Sequence, residues 1–126
     1  MTGVSPTAWI HLALSFDPLR AHLPFADEPL VPGSAIRAVH VNELRTRIDR
    51  ARSRLGLSSF TWGRVIVTGL VIEARDLNEL RIALAEAYQA TPFTPPSYTD
   101  PTLIEHVTAV KAAHIAEIRV AVRVIE

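Results

Sequence analysis

The sequence predicts an all-α fold: three tandem capped-helix repeats and a degenerate N-terminal helix, forming a small bundle or stacked array with long loops rich in aromatic residues and Pro. Two observations predict it. "IRAVHVNELR" at residue 36 is rewritten as "IEARDLNELR" at 72 and "VKAAHIAEIR" at 110, offsets of 36 and 38, and a period in this range marks stacked supersecondary units. Within each copy the apolar residues recur in steps of three and four, which places them on one face of an α-helix.

The first such stripe is Val41, Leu44, Ile48, Ala51 and Leu55, the second Leu77, Leu80, Leu84 and Ala87, the third Ile115, Ile118, Val122 and Ile125. They predict helices at about 40–55, 76–90 and 114–125. Gly56 and Pro92 follow the first two as stops. Asp76 with Glu79 three residues on reads as a capping box, and His40 with Glu43 and His114 with Glu117 hold the same places. The expected role of all six is therefore to start helices.

The same offsets align Arg45, Arg81 and Arg119, expected to tie each helix to an acid of the preceding loop: Asp27, Glu28 or Asp100. An aromatic precedes each copy at Phe25, Phe60 and Tyr98. Phe60, Trp62, Phe93 and Tyr98 are expected to turn inward, and "RVIVTG" with the "IRA", "IEA" and "VKA" segments to form short, weakly paired strands. "SPTAW", with Ser5 as cap and Pro6 at the first helical position, predicts a helix at about 6–16 that closes the array. One domain spans 1–126, divided into 1–24 (the degenerate cap), 25–59, 60–97 and 98–126.

Composition narrows the function. Thirteen basic residues, twelve of them Arg, balance thirteen acidic ones, so no whole-molecule field draws in a polyanion or an anionic membrane. The absence of Cys excludes disulfides, thiolate metal sites and a Cys nucleophile. "AWIHLALSF" is too short to span a bilayer and follows no basic residue, so it predicts neither a membrane segment nor a signal peptide.

Three binding or catalytic readings compete with the structural one. His40, Glu43, Asp76, Glu79, His114 and Glu117 are acceptable divalent-metal ligands, but equivalent positions in a stack lie a repeat apart, and H-x-x-E is no zincin signature. Arg47, Arg50 and Arg54 flank the first stripe, and residues 37–54 hold six Arg against two acids, a local excess that phosphates would recognise. A solvated Arg face is the commoner cause of such a run. No nucleophile elbow, phosphate loop or dinucleotide turn occurs, and His11, His22 and His106 have no partners in spacing. The sequence thus predicts a non-enzyme without cofactor or small-molecule substrate. Its expected partner is a protein or a second copy, because Val120 and Val124 add apolar surface outside the third stripe.

The pattern of an aromatic, "TDP", a variable stretch and I-[KR]-A-x-H-x-x-E-L-R resembles a tandem helical module of large bacterial surface or secreted proteins. It covers residues 25–126 and is carried best by "FADEPLVPGSAIRAVHVNELR" and "YTDPTL". The resemblance implies an extracellular or cell-surface setting and no established chemistry. Two departures stand out: Asp76 replaces His, and "TWGRV" replaces "TDP". "ELRTRIDRARSRL" also looks like the first helix of an all-helical chorismate mutase, but the later helices here repeat the first instead of supplying new catalytic groups.

Overall fold

A computed structural model describes residues 23–126, which form three helices in a small bundle: α1 (Ala38–Arg54), α2 (Ala74–Gln89) and α3 (Ala112–Ile125). The expected helix at 6–16 lies outside the described residues. Each helix packs against both others, so the arrangement is a closed bundle and not an open stack.

All three helices begin two residues earlier than the sequence suggests. The caps are Arg37, Glu73 and Lys111, each in extended backbone (φ −108°, −115° and −115°), and His40, Asp76 and His114 are the third helical residues. α1 ends as predicted: Gly56 adopts φ +82°, its N–H reaches the Ser53 carbonyl, and the Leu57 N–H reaches that of Arg52. That is the paired 5→2 and 6→1 closure that a left-handed residue permits. α2 closes through Thr91 N–H to Tyr88 carbonyl, one residue before Pro92.

The three predicted stripes meet on the bundle axis. Val41, Leu44, Ile48, Leu77, Leu80, Leu84, Ile115, Ile118 and Val122 are fully buried. Each such side chain contributes about 1.5–3 kcal/mol relative to exposure, so this core is the main stabilising term.

No strand forms among the described residues. The carbonyls a strand would need are taken by side chains instead: Asn42 donates to Ile66 (2.8 Å), Asn78 to Leu103 (3.1 Å) and Arg45 to Arg64 (2.7 Å). The expected aromatic filling is partial. Phe25 is buried, Phe60, Trp62 and Tyr98 are half-buried, and Phe93 is exposed rather than turned inward. Among the described residues no helix is long and apolar enough to cross a membrane.

Candidate functional site

The aligned polar residues form three tiers of ties around the bundle. The first tier lies at the helix starts. Arg37 N–H donates to Nδ1 of His40 (2.9 Å) and Lys111 N–H to Nδ1 of His114 (3.0 Å), while Glu73 N–H donates to Oδ2 of Asp76 (2.8 Å). Each third residue thus reaches back to its cap, as the acid of a capping box does. Because a backbone N–H only donates, Nδ1 of each buried imidazole is the acceptor, and the ring proton belongs on Nε2. Nε2 of His40 lies 2.8 Å from Asp27, and that of His114 2.6 Å from Asp100.

In α2 the chemistry is reversed. Asp76 takes two bonds from Arg64, Nε at 3.0 Å and Nη2 at 2.6 Å. Arg64 sits two residues after Trp62, as Asp27 follows Phe25 and Asp100 follows Tyr98. The two departures from the repeated pattern are therefore one exchange: loop acid with helix imidazole becomes loop guanidinium with helix acid. Burial alone pushes the Asp76 carboxyl up, but the Arg64 bonds and the Glu73 N–H outweigh it and hold it below the usual range. The bonds from His40 and then Arg37 lower Asp27, and the His114 bond lowers Asp100.

The second tier is the glutamates. They start no helix; each grips the loop just after its aromatic residue. Glu43 accepts the Ala26 N–H (3.0 and 3.1 Å), Glu79 that of Gly63 (3.1 and 3.0 Å), and Glu117 the N–H and hydroxyl of Thr99 (2.8 and 2.5 Å).

The arginines form the third tier, and they bind backbone carbonyls of a different loop from the one expected. Arg45 reaches the Arg64 carbonyl (2.7 Å) and also the Glu79 carboxylate of α2 (3.4 Å), Arg81 the Asp100 carbonyl (2.7 Å), and Arg119 those of Ala26 (2.6 Å) and Asp27 (3.1 Å). Each helix thus ties to the loop of the next, and α3 returns to the first. Each guanidinium also covers that loop's aromatic ring, at 5.0 Å from Trp62, 4.2 Å from Tyr98 and 4.9 Å from Phe25. The aromatic that corresponds to Phe25 and Tyr98 is therefore Trp62; Phe60 lies under Arg52 instead. Among the described residues Nε of all three arginines has no hydrogen-bond acceptor, which matches their position over ring faces. Burial lowers the pKa of Arg45 and Arg119.

Further down, the helices are linked by residues that sequence reasoning passed over. Arg52 of α1 donates to the Ala83 carbonyl of α2 (3.0 Å), and Tyr88 of α2 to the Ala121 carbonyl of α3 (2.6 Å). Glu126 accepts Nε and Nη2 of Arg47 on α1 (2.9 and 2.5 Å). At offsets of 36 and 38, Arg52, Tyr88 and Glu126 align, as do Arg47, Ala83 and Ala121. One geometric link is made with three different chemistries, which is why the repeat hides it.

Most polar atoms of these residues are engaged within the fold; among the described residues Glu117 Oε1 and Arg81 Nη2 have no partner. Among the described residues no three His, Asp or Glu side chains come together around a common point, and both nitrogens of His40 and His114 are engaged. A groove of about 510 Å³ holds Asp27, Glu28, Arg37 and His40, yet these bind one another or, for Glu28, Arg123. The Arg123 bond drives the Glu28 carboxyl down to about 2. A groove of about 440 Å³ at the helix starts is lined mainly by Ile36, Val39, Leu70, Val71, Ile72 and Val110, with no acid–base pair. On the first helix, Arg45, Arg47 and Arg52 are buried and bonded inward, while Arg50 is exposed. No protein-family model, curated protein or solved structure matches the chain.

Proposed function

We propose that this chain is a non-catalytic module of three tandem repeats that serves as a structural or protein-interaction part of a larger bacterial surface or secreted assembly. The observation that carries the reading is the consumption of the repeated polar residues. His40, Asp76 and His114, the three glutamates and the three arginines bond to helix starts and loops at corresponding places. A repeated word whose polar letters mostly bond within the chain specifies a scaffold, and variation is left to the outer surface, where Val65, Val71, Val107 and Val120 are exposed. The metal reading competes with bonds that already occupy the imidazoles. The polyanion reading keeps little of the Arg-rich helix beyond Arg50.

Thermal melts with calcium, zinc, chelator and heparin, side by side, test this reading. Unchanged melting temperatures are expected in all four. A metal-induced rise that His114→Ala abolishes would replace the scaffold with a metal-dependent binder, since a ligand held only by the native state must stabilise it. A heparin-induced rise that disappears with salt and with Arg50→Ala would replace it with a polyanion binder.

A further inference from the structure

The three seams of the bundle are clasped by two kinds of bond. Loop 62–66, which Arg45 of α1 grips, is clasped to α2 by Arg64 and Asp76. Loop 98–101, which Arg81 of α2 grips, is clasped to α3 by Asp100 and His114. Loop 25–28, which Arg119 and Arg123 of α3 grip, is clasped to α1 by Asp27 and His40. Both seams that hold α3 thus depend on an imidazole, and the α1–α2 seam does not.

Imidazole is the side chain whose ordinary protonation falls between about pH 5 and 8. Here each ring is at most 1% exposed and accepts a backbone N–H at Nδ1. A second ring proton would sit on Nδ1, facing that N–H; the cap amide would lose its acceptor, and a positive charge would lie at the positive end of the helix dipole. The charged groups around His40 are Asp27, Arg37 and Glu43, with Arg119 above the loop from α3. Around His114 they are Asp100, Lys111 and Glu117, with Arg81 from α2. Asp27 is already shared with Arg37, whereas among the described residues no side-chain cation other than His114 bonds Asp100, so Asp100 is the better counter-ion for an imidazolium.

We infer that the fold contains an acid-sensitive clasp: protonation of His40 and His114 loosens α3 from both neighbours, while the Arg64–Asp76 clasp keeps α1 and α2 joined. The lower links, Glu126 to Arg47 and Tyr88 to Ala121, then act as the hinge about which the start of α3 moves.

Amide hydrogen exchange of the full chain, followed by NMR and corrected for intrinsic rates, tests this between about pH 7.5 and 5, the range in which imidazoles ordinarily titrate. Protection over the first two turns of α3 and at the Arg37 amide is expected to fall at least about tenfold relative to the first turns of α2. Exchanging the clasp in the double variant Asp100→Arg with His114→Asp copies the α2 arrangement and should abolish the loss along the α2–α3 seam. Equal loosening of all three helices, or none in α3, overturns the inference, as does loosening of that seam that persists in the folded double variant. If the double variant does not fold, the wild-type imidazole nitrogens decide. Proton gain at Nδ1 together with faster exchange of the Arg37 and Lys111 amides supports the clasp, and proton gain with those amides unchanged refutes it.

Discussion

Arg81→Ala is the substitution that most directly tests how the bundle is tied. Arg81 is buried, donates through Nη1 to the Asp100 carbonyl at 2.7 Å, and lies 4.2 Å above Tyr98. A hydrogen bond from a charged donor contributes about 1.5–3 kcal/mol, and leaves a carbonyl unsatisfied when it is lost. The cation over the ring adds about 0.5–2 kcal/mol, depending on how well it is desolvated. Against this, Nε and Nη2 have no partners among the described residues, so removing the guanidinium also recovers part of its desolvation cost. The net expectation is a loss of about 2–3 kcal/mol, measured as a lower midpoint at constant slope in urea unfolding. Two double-mutant cycles then identify the partner. With Tyr98→Leu the coupling should be about 0.5–1.5 kcal/mol. With Asp100→Ala it should stay below about 0.5 kcal/mol, because the bonded atom is a main-chain carbonyl that the substitution leaves in place. Asp100→Ala is destabilising in its own right through His114, and that loss adds to the first. A larger coupling to Asp100 than to Tyr98 would mean that Arg81 pairs with the carboxylate after all, and would refute the carbonyl-and-ring account.

The exchange at the α2 start predicts a compensating pair. Arg64→Asp leaves two carboxylates together and Asp76→His sets an imidazole against a guanidinium, so each single variant should lose about 3–5 kcal/mol as a broken buried pair does. The double variant, which copies the other two helix starts, should recover about 2 kcal/mol or more of the summed loss in the same unfolding assay; strict additivity counts against it. Tyr88→Phe removes the hydroxyl bonded to Ala121 and should cost about 1–2 kcal/mol at neutral pH. Burial raises the Tyr88 pKa to about 12, above the unfolded value of about 10, so the tyrosine's stabilising contribution is complete below pH 10 and is lost as pH rises through 12. Unfolding free energies measured across that window should converge for wild type and Tyr88→Phe; a gap that stays constant would show that the hydroxyl is not held as its burial implies.

The legible part of this fold is the part with a period. Val41, Leu44 and Ile48 and their counterparts announce a helical face without regard to what they pack against, and they form the core. The helix starts were misplaced by two residues because His is read as a cap more easily than as the acid-like third residue that reaches back. Glu43, Glu79 and Glu117 stood where a capping acid belongs, yet their targets are amides 16 to 18 residues upstream, and an amide carries no signature in sequence. The arginines were legible as ties but not in direction, since their acceptors are mainly carbonyls, with the Glu79 carboxylate added for Arg45. Spacing chose Phe60 over Trp62, although Trp62 stands immediately before Gly63-Arg64 as Tyr98 stands before Thr99-Asp100. The one signal that sequence held and spacing hid was the joint departure at residues 64 and 76: two oddities in one copy, each explained by the other.

Direction is the physical content of these ties. Were each arginine bound to its own loop, every helix and loop would form a separate unit, and the three would meet only through the apolar stripe and the lower links of Arg52, Tyr88 and Glu126. Because Arg45 and Arg81 instead reach forward and Arg119 reaches back across 92 residues, each loop is held by two helices at once: its own through Glu and the clasp, its neighbour through Arg. A loop so held fixes the rotation of both helices about their axes, which apolar contact alone leaves soft. That accounts for the position of the conserved chemistry within the chain's own repetition. The stripe residues interchange among Val, Leu and Ile, and at one position between Ala and Ile, whereas Glu and Arg stand unchanged in all three copies, and the clasp changes only as a pair.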